Sequence, residues 1–360
     1  MKVLHVESGR HLYGGARQVL YIMEGLARLG VDNLLACPPG AHIAEAARQH
    51  GRVFERAMKG DADLGLVFRL KRLIREQRPD LVHLHSRRGA DLWGGIAARL
   101  AGVPCVLSRR VDNPEPHWLV SAKYRLYDHV ITISEGIREV LLAEGLAPEK
   151  VSCVRSAVDA RPYLVNYDKA AYRTKLGLAA DTPLAGMVAQ LIERKGHRHL
   201  LAALPEVLRR HPRLQVLIFG RGPLEAEIKQ AIIDQDLSDN VRLMGFVDNL
   251  PTVLGCLDLL VHPADMEGLG VSLLQASAAR VPIVASRAGG MPEAVRDGEN
   301  GLLIAPGDVP ALATAMNRLL GDAQLRSTMG EAGRALVLRE FSTQVMCEGN
   351  LAIYKKVLGQ

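Results

Sequence analysis

The stretch HPADMEGLGVSLLQASAARVPIVASRAGGMPEAV, residues 262–295, decides the fold. It follows a short apolar run, Leu257 to Val261, that ends at Pro263 and reads as a buried strand. A glycine-spaced turn comes next, Glu267-Gly268-Leu269-Gly270, then a helix-like run from Val271 to Arg280. A second apolar strand, Val281 to Ala285, leads to Gly289-Gly290 and a helix start at Pro292. Strand, glycine turn and helix thus occur twice. Parallel crossovers are right-handed, so both turns fall at the carboxyl edge of one sheet, where open α/β sheets hold ligands.

The turn has specific chemistry. Gly268 and Gly270 permit close approach of backbone N–H groups, and the helix behind them offers unpaired amides and a positive dipole end that suit phosphate. Glu267 can accept hydrogen bonds from sugar hydroxyls, and Gln275, on the helix, can donate and accept. Together they can hold a sugar, a phosphate and a ribose in a row.

These residues resemble the donor-site signature of glycosyltransferase family 4, retaining enzymes of the GT-B fold. Glu267, Gly268, Gly270, Ala276, Gly289, Gly290 and Glu293 match its pattern. Leu269 stands where Phe is usual, and Gln275 where a second Glu is usual. The resemblance implies that Glu267 binds the donor sugar and that Gln275 binds the ribose without charge. It also implies roles for the Gly268–Val271 backbone, through Leu269 and Gly270.

The resemblance extends along nearly the whole chain. The loop Gln190-Leu191-Ile192-Glu193-Arg194-Lys195-Gly196 resembles the basic loop that neutralises the donor diphosphate, with Lys195 and Gly196 matching. Gln190 replaces the usual Arg, and Arg194 is placed to supply the missing charge. Fixed cations lower the barrier as a diphosphate leaving group gains charge. Arg221 lies in a Gly-Arg-Gly-Pro turn that resembles the nucleotide-facing element, and Val247 in the segment that meets the base. Gly14 and Gly15 resemble the family's glycine loop facing the donor phosphates.

In the first half, Asp80, His83 and His85 match an Asp-x-x-His-x-His strand, with Ser86 at its end. His85 is a candidate acceptor-side residue. A run from Ser108 to Pro114 follows the strand Val103 to Leu107 and contains Arg109, Arg110 and Asp112. Arg110 falls about where many relatives carry a catalytic His, so that role does not transfer directly. Two Arg at a strand edge suit phosphate or carboxylate, either of an anionic acceptor or of the donor. The catalytic candidates are therefore Glu267, Lys195 and Arg110; those on the acceptor side are Arg109, Arg110 and His85. Phosphate oxygens of the leaving group would help deprotonate the acceptor, since no side-chain base is evident.

Composition fits such an enzyme. A chain of 360 residues can form two domains with full cores. The expected boundaries are 1–160 for an acceptor-binding Rossmann-like domain and 161–344 for a donor-binding one, with a terminal helix near 345–360 returning to the first. The five cysteines are odd in number and lack Cys-x-x-Cys spacing, which points to reduced thiols rather than a metal site. No stretch reaches bilayer-spanning length, and Glu7 breaks the first apolar run, so a cytoplasmic protein is expected. No cofactor or metal is implied beyond a nucleoside-diphosphate sugar as co-substrate.

Charge is uneven. Residues 1–157 hold 23 Lys and Arg against 17 Asp and Glu, the whole excess of +6, while the remainder holds 22 of each. Part of the excess lies on a predicted helix, Leu64 to Arg78. Leu66, Val67, Leu70, Leu73 and Ile74 line one face, and Arg69, Lys71, Arg72, Arg75 and Arg78 crowd the other. Such a face suits solvent, an anionic membrane or an anionic glycan or glycolipid acceptor. Nucleic acid is a poor match, with aromatics at only 4% and no recognisable module. Asp61-Ala62-Asp63, just before this helix, reads as its cap rather than a metal pair. A nucleotide-sugar epimerase and a non-catalytic sugar-nucleotide-binding protein are the alternatives. A dehydrogenase is disfavoured by the lack of Gly-x-Gly-x-x-Gly after the first strand.

Overall fold

A computed structural model describes the chain except residues 13, 86–88, 112, 114 and 116; of residues 118, 119 and 121 it describes the backbone alone. Ser86, Asp112 and Pro114, which belong to motifs above, lie outside the described residues. The chain divides into two compact units, Met1–Ala157 with Thr343–Gln360, and Val158–Ser342.

The first unit carries a seven-stranded parallel sheet. Its strands are β1 (Lys2–Val6), β2 (Asp32–Cys37), β3 (Arg52–Glu55), β4 (Leu81–Leu84), β5 (Cys105–Arg109), β6 (His129–Thr132) and β7 (Val151–Cys153), and their order is β3-β2-β1-β4-β5-β6-β7. The second unit carries β8 (Leu184–Val188), β9 (Gln215–Phe219), β10 (Val241–Gly245), β11 (Leu259–His262), β12 (Ile283–Ser286) and β13 (Gly301–Ile304), in the order β10-β9-β8-β11-β12-β13. Every strand pair is parallel. Both are doubly wound Rossmann-like sheets whose order reverses once, between β1 and β4 and between β8 and β11.

The apolar strands cause this architecture. A parallel sheet is covered by helices on both faces, so its strands are apolar throughout. In β1, Leu4 and Val6 join one core cluster and Val3 joins another. The second cluster includes Met346, Ile353 and Tyr354 of the terminal helix Thr343–Leu358, which completes the first unit. In the second unit, Val216, Ile218, Leu259, Val261 and Val284 share a core with Leu200, Leu204 and Leu312 from covering helices.

Some boundaries differ from the sequence reading. The two strands around the Glu267 turn begin at Leu259 and Ile283, because Leu257 and Val281 are still in hydrogen-bonded turns closing the preceding helices. A short helix runs over His42–Ala47. Gly14 and Gly15 open the first helix, Gly14–Arg28, rather than preceding it. The basic helix forms over Gly65–Gln77 and buries all five predicted apolar residues. Asp63 does not cap it. Its carboxylate accepts from the Lys59 backbone and pairs with Arg69 instead. The five cysteines form no disulfide.

Candidate active site

In the second unit the loops after β8 and β11, the strands that flank the order reversal, meet. The first loop forms a single 3-10 turn, Glu193–Lys195, ended by Gly196. Gly196 has φ of +74°, and a Cβ there would lie 1.9 Å from the Pro263 carbonyl oxygen. Only glycine permits so close an approach. The Arg194 carbonyl accepts from the backbone N–H of Asp265, at 2.9 Å. The two loops are thereby tied by backbone, and their side chains converge.

At the convergence, the Lys195 ammonium pairs with Glu267 Oε2. His262, the last residue of β11, donates from Nε2 to the same oxygen at 3.1 Å, since a carboxylate only accepts. The Gly268 N–H reaches Glu267 Oε1 at 3.2 Å. Lys195 and His262 are buried, and the Glu267 side chain is 16% exposed. Burial pushes the Glu267 carboxyl up, but the His262 hydrogen bond and the Lys195 charge outweigh it and hold the group well below the usual carboxylate range. Glu267 is thus a fixed anion with a cation beside it. It can accept from hydroxyls and cannot supply a proton near neutrality.

Behind this pair the helix Val271–Ala278 begins at Gly270, whose φ is +86°. Leu269 is buried, so the residue contributes backbone rather than side chain to the turn. Gln275 is half-buried on the helix and its amide has no partner among the described residues. Val271 is half-buried, and Gly290 N–H donates to the Glu267 carbonyl at 3.2 Å, joining the second glycine turn to the first. Gln190 and Arg221 are exposed after β8 and β9, and the Arg221 carbonyl accepts from Leu191 N–H at 3.1 Å. Arg194 is half-buried, and Val247 lies beyond the end of β10. The structure therefore brings Lys195, Glu267 and the 268–271 backbone together. His262 has no match in the motifs above; its place at the carboxyl end of an apolar strand is the one signal the sequence carries for it.

The first unit has its own polar site at the corresponding edge. A cavity of about 640 Å³ is lined by the loop after β1, by His85 after β4 and by Arg109 and Arg110 at the end of β5. Gly14 and Gly15 are exposed at the helix start, and Gly15 borders the cavity. Arg109 is the last strand residue rather than part of the following loop, and it is buried. It pairs at 3.0 Å with Glu115, which also takes Lys123 at 3.1 Å. Arg109 is thus committed inward, whereas Arg110 contacts His85 Nδ1 at 3.4 Å and forms no ion pair among the described residues.

Three histidines, His5, His83 and His85, cluster beneath this cavity, each with a ring nitrogen within 4.8 Å of the others. Every ring nitrogen already has a partner: Asn33 and His85 for His5, Tyr354 and Ser108 for His83, His5 and Arg110 for His85. Burial lowers all three, His5 to about 4 despite its Asn33 bond, and His83 and His85 well below the ordinary range. The folded state therefore binds fewer protons than the unfolded chain between about pH 4 and 6.5. Stability is full above that window and falls as pH drops through it, His5 alone contributing on the order of 3 kcal/mol. A melting series from pH 7.5 to 4.5 is expected to show this loss, and His5→Asn is expected to flatten it.

Two family models match the chain: Glycosyltransferase Family 4 over residues 13–161 and Glycosyl transferases group 1 over 168–336. A GDP-mannose-dependent alpha-(1-6)-phosphatidylinositol monomannoside mannosyltransferase of Mycolicibacterium smegmatis is 36% identical over 284 residues, 74% of each chain. The chain belongs to the group 1 glycosyltransferases, family 4. Another relative, a lipopolysaccharide core biosynthesis glycosyltransferase of Rhizobium meliloti, is 27% identical over 98% of each chain. Among solved structures, Anabaena HepE in complex with UDP superposes with a TM-score of 0.87 at 21% identity, covering 99% of this chain and 100% of that one. The fold is GT-B, and this glycosyltransferase has the 3-2-1-4-5-6 strand order in its second unit from which the Lys195 and Glu267 loops project.

Proposed function

We propose that this glycosyltransferase moves a sugar from a nucleoside-diphosphate donor to a cell-envelope glycan or lipid-linked acceptor, with retention of anomeric configuration. The observation that carries the proposal is the buried Lys195–Glu267 pair beside a glycine-led helix start at a topological switch point. Glu267 accepts from the donor sugar's hydroxyls. Lys195, with Arg194, offsets the charge that builds on the departing diphosphate. The backbone amides from Gly268 to Val271, at the turn and helix start, face the phosphates, and Gln275 takes the ribose. Charge compensation comes from these side chains and amides, without a metal. The acceptor oxygen loses its proton to the leaving phosphate, because Glu267 is held as a hydrogen-bonded anion.

Relatives support the acceptor class. One is named for lipopolysaccharide core biosynthesis and another for transfer to GlcNAc-diphosphoundecaprenol. Solved GT-B neighbours hold UDP and UDP-glucose. We place the protein in the cytoplasm at the inner face of the membrane. Among the described residues no helix is long and apolar enough to cross a bilayer. The helix Gly65–Gln77 instead presents Phe68, 73% exposed, beside Lys71, Arg72 and Arg75, a combination suited to an anionic headgroup layer.

A thermal-shift screen with UDP- and GDP-sugars is expected to single out one nucleotide, with a shift that grows with concentration. Transfer from that donor should yield a product with the donor's anomeric configuration by NMR. An inverted product would refute retention, and donor epimerisation without acceptor would indicate an epimerase.

A further inference from the structure

The cavity in the first unit has an uneven charge balance. Lys123 pairs with Asp91 at 2.9 Å and with Glu115, and Glu115 also takes Arg109, so two cations face two anions. Arg10, Lys59 and Arg110 also line the space and form no ion pair among the described residues. Glu7 is the acid left on that wall, and its Oε1 accepts from Gly9 N–H at 2.7 Å. The pocket therefore has cations in excess. Arg110 is the most constrained of them. Among the described residues its Nε is buried without a partner, and its one side-chain hydrogen bond reaches His85. A guanidinium carries five N–H donors, and leaving them unused out of water is costly. Burial also lowers the Arg110 pKa, partly countered by Glu7.

The direction of the hydrogen-bond chain behind Arg110 can be read from one end. Asn33 Nδ2 donates to the carbonyls of Met23 and His50, at 2.9 and 3.2 Å, so its Oδ1 faces His5. His5 must then carry its proton on Nε2 and accept on Nδ1. His85 donates from Nε2 to that nitrogen at 2.9 Å, leaving Nδ1 to accept from Arg110. Both histidines are neutral, every link has one donor and one acceptor, and no ring nitrogen is left for a metal. The chain fixes one nitrogen of the guanidinium, and Arg110 borders the cavity.

We propose that this pocket receives a phosphate or carboxylate group of the acceptor, bound by Arg110 with Arg10 and Lys59, and that His85, His5 and Asn33 are positioning residues for Arg110. The proposal rests on the glycosyltransferase reading above and names the charge class of its acceptor. The same chemistry could come from the donor diphosphate, so the test separates the two sources.

Inorganic phosphate is titrated calorimetrically into the full chain, with and without a saturating nucleoside diphosphate. Arg110→Gln and the exposed Arg10→Gln are each expected to weaken phosphate binding at least tenfold under saturation, while nucleotide affinity stays within twofold. Unchanged phosphate affinity in both variants overturns the proposal. So does a parallel loss of nucleotide affinity, which assigns the anion to the donor. If no nucleotide binds the wild type, the donor reading fails while the phosphate comparison still judges the pocket. For the relay, His85→Leu is expected to weaken phosphate binding several-fold and His85→Gln, which keeps an acceptor oxygen, to restore most of it. A glutamine variant no better than leucine overturns the positioning role.

Discussion

Glu267→Gln is expected to reduce transfer by about 10²–10³-fold, the loss typical when a preorganised charged group is removed from a reacting centre. The substitution keeps size and a hydrogen-bond acceptor but removes the charge that faces Lys195 and His262. In the proposed site, sugar hydroxyls then meet a weaker acceptor, and the Lys195 ammonium is left buried without its counter-ion. Breaking one side of a buried pair costs about 3–5 kcal/mol, so the variant should also melt earlier. In the wild type the Glu267 carboxyl is depressed in the fold. Its contribution to stability is full above the ordinary carboxylate range and is lost as pH falls toward the depressed value. Glu267→Gln should therefore lose more stability at pH 7 than in strong acid. Steady-state transfer and thermal melts check both halves. A variant that transfers at the wild-type rate would remove Glu267 from the site.

Lys195→Met is expected to have an effect of similar size, about 10²–10³-fold, concentrated in kcat. In the proposed reaction the ammonium meets charge that grows as the glycosidic bond breaks, so the transition state gains more from it than bound donor does. Donor KM should change much less than kcat. Lys195→Arg should not rescue. The 3-10 turn, the Gly196 contact with Pro263 and the Glu267 carboxylate enclose a compact ammonium, and a planar guanidinium has a different shape and bonding pattern. A Lys195→Met enzyme with unchanged kcat would show that diphosphate departure is stabilised elsewhere.

Much of this was legible in the sequence, for definite reasons. Apolar runs ending in glycine turns fix parallel strands and their carboxyl edge, which places the Glu267 turn; the Lys195 loop follows from the resemblance to family 4. The five buried residues of the Gly65–Gln77 helix came from its period. What escaped was whatever depends on contacts distant in sequence. Asp63 reads as a cap because it precedes a helix, but Arg69 is a stronger partner for a carboxylate than backbone amides alone. Arg109 and Arg110 look alike as neighbours, yet one ends a strand facing Glu115 and the other faces a cavity. The hydrogen-bond chain through Asn33, His5 and His85 joins β2, β1 and the residue after β4, and no local pattern announces it.

The most direct test is a crystal structure with the nucleotide sugar that stabilises the protein. The sugar hydroxyls should lie within hydrogen-bond distance of the Glu267 carboxylate, with the diphosphate against Lys195 Nζ and the amides of Gly268 to Val271. A donor bound away from the loops after β8 and β11, or one whose diphosphate leaves Lys195 and Glu267 untouched, would contradict the assignment.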